Sequence, residues 1–383
     1  MTATSEPGQS SGRARSIEAA VCHSFGSPLV IEQLLIRRPG DEELMVRLYA
    51  CAICHSDIAY MSGAWGGTLP AVYGHEAAGV VEEVGGTVSG ISVGDHVVVT
   101  LIRACGRCQR CAQGRPTLCE GLPAGGGDEV LSTSDGSPVH QGMRVGAFAE
   151  LVTVHLSQVA VVGPDVPLDS ASLLACGVLT GFGAVVNTAD VQPGSSVVVI
   201  GTGGVGLNCV QGAALAGAEQ IMAVDIVAAK LAVARAFGAT HGFDASTGGA
   251  GDAVREATSG RGADYVFVAA GVASLVEEGA AMLRRGGTLV IVGMPPTGAI
   301  VSLDPVSIAD GSLRILGSKM GNSRPQEDIA KLVGLYGSGR LKLDELISER
   351  FELAHINEAI DSARRGEQLR PVVVFGESRH VAR

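Results

Sequence analysis

Three features of the sequence predict an α/β fold in which a doubly wound parallel sheet is joined to a second, mostly β domain. From about residue 177 onward, short β-branched runs alternate with apolar stretches of helical length. That alternation is the pattern of a parallel sheet covered by helices. Within it, Gly201-Thr202-Gly203-Gly204-Val205-Gly206 follows the strand-like run Ser196–Ile200 and opens a helix-length segment. Ahead of it, residues 16–175 read as short strands separated by Gly, Asp and Ser turns.

The elements follow in order. In the first region, strand-like runs include Leu44–Leu48, Gly79–Val84 and His96–Leu101. In the second, Ser196–Ile200 leads to a helix over Val205–Ala216, a strand over Ile221–Val224 and a helix over Val227–Phe237. Tyr265–Ala269, Thr288–Val292 and Leu313–Leu316 are further runs of strand length. After about residue 322 come one or two helices and a last strand, Pro371–Phe375. That piece is too short to be a domain, so it is expected to fold back onto the first. The resulting division is a disordered tail at 1–15, a mostly β domain at 16–177 and 322–383, and a doubly wound α/β domain at 178–321. The Gly/Ser-rich stretch near residues 121–142 is expected to be a surface loop.

Composition narrows the class of partner. Apolar residues are 46% of the 383 and charged residues only 17%, which excludes a disordered chain. Acidic residues outnumber basic ones by 39 to 28, and the net charge of −11 argues against nucleic acid or an anionic membrane. No apolar run approaches the roughly 18 residues that span a bilayer. Nine cysteines are too few for a disulfide framework, and residues 2–15 hold no apolar core of a secretory signal. A reducing cytoplasm, where thiols serve metals, is the expected compartment.

Four of those cysteines lie close together as Cys105-x2-Cys108-x2-Cys111-x7-Cys119. Four thiolates at about 2.3 Å close a tetrahedral zinc site of the structural kind, and two-residue spacers let a tight loop wrap the ion. Arg103, Arg107, Arg110 and Arg115 are threaded between them and could offset the charge. Free thiols or an iron–sulfur cluster are the alternatives; the last spacing does not match the ferredoxin run. A second, dispersed set comprises Cys54-His55-Ser56-Asp57, Gly74-His75-Glu76 and Cys176. Two Cys and one His leave one position open, as a catalytic zinc requires. Each piece alone reads as readily as core, and Asp57 and Glu76 as ordinary charge or as carboxylates that orient the imidazole.

The glycine-rich turn matches G-x-G-x-x-G in the strand–turn–helix context that gives the motif meaning. Glycines let the backbone approach a pyrophosphate seated on the helix N-terminus. Asp225 ends the next strand, where a carboxylate accepts hydrogen bonds from ribose hydroxyls and repels a 2′-phosphate, so NAD is favoured over NADP. Lys230 could also reach the ribose, or stand as a solvated helix lysine.

Together these residues resemble the zinc-containing medium-chain alcohol dehydrogenases, over about residues 17 to 376. The marks are C-H-S-D, G-H-E, G-D-H-V at Gly94–Val97, the four-Cys lobe, L-L-A-C-G-V-L-T-G-F-G at Leu173–Gly183, G-T-G-G-V-G, and V-G-M-P-P at Val292–Pro296. The long segment between Cys119 and Phe148 resembles the animal-type and glutathione-dependent formaldehyde dehydrogenase branch. The resemblance implies a GroES-like catalytic domain, a Rossmann domain, an active site between them, NAD, and two zinc ions per chain. It implies that Cys54, His75 and Cys176 bind the catalytic zinc, and Cys105, Cys108, Cys111 and Cys119 the structural one. Asp57 would then orient His75, Glu76 would sit behind the metal, and Ser56 would take the alcohol proton. His55 and Arg370 would contact the coenzyme pyrophosphate, with Thr180 and Val292 beside the nicotinamide. Trp65, Leu101 and Met294 fall at substrate-pocket positions and suggest an apolar slot, though each could be plain core.

One departure is Ala59, where several relatives carry the His that ends a proton relay. The expected activity is hydride transfer between a primary or aromatic alcohol, or its aldehyde, and NAD. The alternatives are a thiol-adduct formaldehyde dehydrogenase, of glutathione or mycothiol type, or a biosynthetic carbonyl reductase of the same fold. A non-catalytic zinc and nucleotide binder would show a damaged ligand set, and here the inner ligands and Ser56 are all present. The expected partners are a small alcohol or aldehyde and a second copy of the chain, as a homodimer or else a homotetramer.

Overall fold

Ser196–Ile200 is buried at every position, as a strand covered on both faces must be. In the computed structural model, which describes residues 14–122, 129–366 and 369–376, it stands inside a six-stranded sheet. The order is His241–Asp244, Gln220–Asp225, Ser196–Ile200, Ala263–Val268, Leu283–Ile291, Arg314–Gly317, and every pairing is parallel. Alternation splits its side chains between two cores. Val197 and Val199 face one, with Leu207 and Val210 of the helix Gly204–Leu215. Val198 and Ile200 face the other, with Val254 and Val276. The strand order reverses at Ser196–Ile200, so the crevice that doubly wound sheets use for ligands opens at its carboxyl end.

The remainder of the chain is built mostly on antiparallel pairing, with Ala71–Val72 parallel to Pro138–Gln141 and Ile347–Glu352 parallel to Arg370–Val374. Arg15–Cys22, Val30–Ile36, Leu131–Ser132, Pro138–Gln141 and Ala71–Val72 close a small barrel. A second sheet runs Val159–Val162, His96–Val99, Glu76–Val84, Glu43–Ala52, Arg370–Val374, Ile347–Glu352, with Leu151–His155 also paired to Glu43–Ala52. The C-terminal segment therefore returns to this first sheet, after two helices, Pro325–Gly337 and Ile356–Arg365. One core is shared across the junction: Cys54, Ala78 and Val98 pack in the same cluster as Cys176, Val199 and Val290.

Two expectations are corrected. Arg15 is not tail but the first residue of a strand, paired to Ile36 and held by ion pairs to Glu82 and Glu83; residues 1–13 lie outside the described residues. The stretch near 121–142 is not all loop, because Leu131 and Val139 are buried and bring Leu131–Ser132 and Pro138–Gln141 into the barrel. Its residues 123–128 lie outside the described residues. Short helices also interrupt the β region, among them His55–Met61 and Leu168–Ser172. No single helix among the described residues is long and apolar enough to cross a membrane. The bent pair Leu168–Ala175 and Gly177–Ala189 has that composition, and Leu173, Leu174, Val178 and Leu179 of it are buried in the shared core.

Glu43–Ala52 and Glu76–Val84 approach so closely at Gly79, opposite Leu48, that an added Cβ would collide with the Arg47 carbonyl oxygen. Gly79→Ala should therefore force the pair apart and destabilise the protein by about 3 kcal/mol, the upper part of the range for overpacking. Chemical denaturation of parent and variant measures this, and an unchanged midpoint would contradict it.

Candidate active site

Cys54 is the N-cap of the helix His55–Met61, with extended backbone (φ −109°, ψ 148°) that turns its side chain out of the helix. Asp57, at the third helical position, reaches back to accept a hydrogen bond from the Cys54 backbone N–H at 3.3 Å. Its other oxygen accepts from the Gly74 N–H at 2.9 Å and from His75 Nδ1 at 3.0 Å. Because Asp57 accepts, Nδ1 carries a proton, which leaves Nε2 as the nitrogen that a metal would take in place of a proton. Both residues are fully buried, and Nε2 has no hydrogen-bond partner among the described residues. A buried, oriented and unpartnered imidazole nitrogen is what a metal ligand offers.

Cys176 completes the group from the start of the helix Gly177–Gly183. One ligand atom from each of Cys54, His75, Glu76 and Cys176 lies within 4.8 Å of every other. A hydrogen bond from Cys176, helped by His75, holds the Cys54 thiol well below its ordinary value. The same bond, with burial, pushes Cys176 well above its own. The opposite shifts arise from one contact between the two sulfurs, and a cation entering the cluster would favour thiolate at both. Burial alone would push His75 down, but Asp57 and Cys54 outweigh it and hold the imidazole well above the usual histidine value. Two sulfurs and one nitrogen in this arrangement suit zinc, with a fourth position left for substrate.

Glu76 opens the strand Glu76–Val84 beneath the cluster and is paired with Arg370. Burial pushes its carboxyl up to about 7; Arg370 works against that and Cys54 with it. Arg370 opens the strand Arg370–Val374, and an added Cβ on Gly204 would strike its Cδ, so its stem lies across the mouth of the glycine-rich turn.

Gly201 takes a left-handed φ of +86°, and a Cβ on Gly206 would strike the Gly201 carbonyl oxygen, so the turn closes only with glycine at those positions. Gly203 is the N-cap of the helix, and an added Cβ there would meet nothing within 4 Å. That is an open cradle of the kind a pyrophosphate fills. Val205 is half-buried in the first turn of the helix. Asp225 lies at the carboxyl end of Gln220–Asp225; its Oδ2 accepts from Thr202 N and Oγ1 at 2.7 and 2.9 Å, and its Oδ1 from Val227 N at 3.0 Å. Lys230, half-buried on the helix Ala228–Ala236, points its ammonium toward Gly366. Thr180 and Val292 are both 7% exposed. Thr180 Oγ1 lies 3.9 Å from Cys176 Sγ, next to the metal cluster.

The other predicted residues line the surroundings. His55 and Ser56 are the first two residues of the helix that Cys54 caps; His55 is exposed in the cleft and Ser56 half-buried. Trp65 donates Nε1–H to the Pro295 carbonyl at 3.3 Å, a bond from one domain to the other, and stands edge-on to Tyr60 at 5.3 Å. Leu101 is half-buried against both cores. Met294 is 61% exposed and so stands at the surface rather than inside a slot.

The second cluster, Cys105, Cys108, Cys111 and Cys119, also gathers four sulfurs within 4.8 Å of one another. Cys105 Sγ accepts from the Cys108 N–H and Cys119 Sγ from the Cys105 N–H, both at 3.3 Å. Backbone N–H groups of Cys111 and Glu120 pull Cys108 down to about 6. These backbone donors favour thiolate; Arg110 is directed instead to Glu120.

Sequence reasoning passed over Met320. Its thioether lies 3.6 Å from Cys176 Sγ and 3.5 Å from Thr180 Oγ1. It reaches there through a left-handed run, Met320, Gly321 and Asn322, with φ of 50°, 63° and 49°. The backbone of that run presses on Leu179 and Gly183. Only the Met-Gly-Asn turn itself could have signalled it.

Comparison with known proteins agrees with this geometry. Residues 40–165 match the alcohol dehydrogenase GroES-like domain, and residues 204–337 the zinc-binding dehydrogenase domain. The chain is 38% identical over 365 residues to an NDMA-dependent alcohol dehydrogenase of Amycolatopsis methanolica, covering 93% of this chain and 98% of that one. It is 34% identical over 374 residues to an S-(hydroxymethyl)glutathione dehydrogenase of Paracoccus denitrificans, covering 93% and 99%. The crystal structure of benzyl alcohol dehydrogenase from Acinetobacter calcoaceticus superposes with a TM-score of 0.89 at 32% identity, over 94% of this chain and 100% of that one. The chain belongs to the zinc-containing medium-chain alcohol dehydrogenase family.

Asp57→Asn keeps the shape of the carboxylate but weakens its hold on His75 Nδ1. Loss of such a partner typically costs about 10–100-fold in metal affinity. Competition with a chromophoric chelator should show that loss at the Cys54/His75/Cys176 site and none at the four-cysteine site. Equal loss at both would point to general unfolding instead.

Proposed function

We propose that the protein is a zinc- and NAD-dependent alcohol dehydrogenase that interconverts a primary or aromatic alcohol and its aldehyde. The observation that carries this reading is the convergence of Cys54, His75 and Cys176, with Thr180 beside Cys176, on the Arg370 side chain that also lies against the open glycine turn. When bound, zinc supplies Lewis acidity to the substrate oxygen and the nicotinamide accepts hydride.

The chain's residues do the rest. The two sulfurs and His75 hold the catalytic metal, and Asp57 fixes the ring. Cys105, Cys108, Cys111 and Cys119 hold a structural zinc. Ser56, two residues past Cys54, takes the alcohol proton at Oγ and passes it outward. With Ala59 in place of an imidazole, His55 is the next acceptor. Desolvation in the cleft, joined by the Arg370 and Lys230 cations, pushes His55 below the ordinary histidine value, so it is neutral and able to accept at pH 7. Arg370 and His55 meet the pyrophosphate, Thr180 and Val292 bracket the nicotinamide, and Asp225 and Lys230 meet the ribose. Trp65 and Leu101 favour an apolar alkyl or aryl group, with Met294 at the rim. A thiol-adduct formaldehyde dehydrogenase is the second reading, in line with the Paracoccus relative; the apolar Trp65 and Leu101 favour the first.

A panel of primary, secondary and aromatic alcohols, and formaldehyde with and without glutathione, followed at the nicotinamide absorbance, separates the two. Turnover of formaldehyde only with thiol, and of no plain alcohol, would overturn the first reading.

Metal analysis of replete protein should give two zinc ions per chain. Mild chelation should remove one ion first, together with activity, because an open site exchanges more readily than a closed four-thiolate one. One or no zinc in replete protein contradicts the reading.

NAD should be preferred to NADP by about 100-fold, since the extra phosphate faces the like charge of Asp225. Asp225→Gly should narrow that ratio. A parent enzyme that uses both coenzymes equally would remove Asp225 from its role.

A further inference from the structure

We infer that Thr202 is a positioning residue for coenzyme choice: it fixes the Asp225 carboxylate in the orientation that receives the ribose and faces a 2′-phosphate. The inference rests on the NAD reading above and adds to it a residue that is wholly buried in the protein. Thr202 has none of its surface exposed, so whatever it does, it does through a neighbour. That neighbour is Asp225, which it holds twice, from its backbone N–H at 2.7 Å and from its hydroxyl at 2.9 Å, both on Oδ2.

The geometry follows from the turn. Gly201 N–H donates to the Val224 carbonyl at 2.8 Å, which ties the turn to the end of the neighbouring strand. The left-handed φ of Gly201 then carries Thr202 beside the last residue of that strand, Asp225. A carboxylate offers about four acceptor positions. Thr202 fills both on Oδ2, and Val227 N–H takes one on Oδ1 at 3.0 Å. The remaining position is on Oδ1, so the ribose meets one defined oxygen rather than a rotating group. Valine at 202 would keep the volume and the N–H bond but lose the hydroxyl donor. Oδ2 would then have a spare acceptor, and the carboxylate could turn or recruit water.

Calorimetric titration of the zinc-loaded enzyme with NAD and with NADP tests this, using Thr202→Val and Thr202→Ser with thermal melts as the folding control. If the released carboxylate loses the equivalent of one hydrogen bond to the ribose, the change in affinity is about tenfold. Thr202→Val should lose about tenfold in NAD affinity with NADP little changed, so discrimination falls by that factor. Thr202→Ser, which keeps the donor, should match the parent. In an Asp225→Asn background, Thr202→Val should change discrimination no further. A purely packing role predicts the reverse order, with Val like the parent and Ser impaired, and that result overturns the inference. Equal loss of both coenzymes in Thr202→Val, which would mean a damaged turn, overturns it as well. If the parent shows no preference for NAD, the coenzyme reading and this inference fall together. If the parent prefers NAD and the Val variant keeps that preference, only the inference falls.

Discussion

The pairing of Arg370 with Glu76 is the interaction on which the site depends. Both side chains are buried, Glu76 completely and Arg370 at 5% exposure. A lone carboxylate under two sulfurs would be driven to take up a proton, and a lone guanidinium in the same place would cost several kcal/mol of desolvation. Together they are tolerated, and each fixes the other's position. Glu76 belongs to the strand that follows His75, while Arg370 arrives from the far end of the chain on a strand paired with Glu43–Ala52 through Val372. The Arg370 stem rests on Gly204 and its guanidinium approaches Gly177, next to Cys176. One ion pair thus ties the Cys54, His75 and Cys176 cluster, the glycine turn and the C-terminal strand to a single point between the domains.

Around that point the donors are held by the backbone more than by one another. Cys54 and Cys176 each stand where a helix begins, and Asp57 uses one carboxylate to brace the Cys54 N–H, the Gly74 N–H and the His75 ring. Met320 presses on Cys176 and Thr180 from a left-handed turn. The turn is held by Asn187 donating to the Gly321 carbonyl and by Asn322 donating to Thr188. Left-handed backbone at Met and Asn costs energy that the surrounding contacts must offset. The geometry of the metal face is therefore set by rigid neighbours, as a site that must present one open position requires.

Much of this was legible in the residues because it is local. The run Ser196–Ile200 is β-branched and buried on both faces, and the glycine turn after it has few alternatives. The Cys105–Cys119 spacing needs only a short loop to become a ligand set. What could not be read depends on contacts between distant segments. Leu131–Ser132 and Pro138–Gln141 are strands only because the barrel supplies partners for them, and runs so short carry no periodicity. Arg15 looked like tail because the strand it begins is polar at its outer end. The Arg370–Glu76 pair joins residues almost three hundred positions apart, and Thr202 occupies a position in the glycine motif where any residue is allowed. Met294 matched a pocket position in the chain, but its loop carries it to the surface.

The proposed reaction passes hydride between a substrate held at Cys54, His75 and Cys176 and a nicotinamide held beside Thr180 and Val292. Its most direct test is isotope transfer from benzyl alcohol carrying two deuterium atoms on its reacting carbon, incubated with NAD and the zinc-loaded enzyme. The account predicts one deuterium on the reduced nicotinamide, benzaldehyde as the product, and no transfer with Cys176→Ser even though the four-cysteine site keeps its metal. Transfer that survives loss of Cys176 would contradict it, as would oxidation of the alcohol with no deuterium on the nicotinamide.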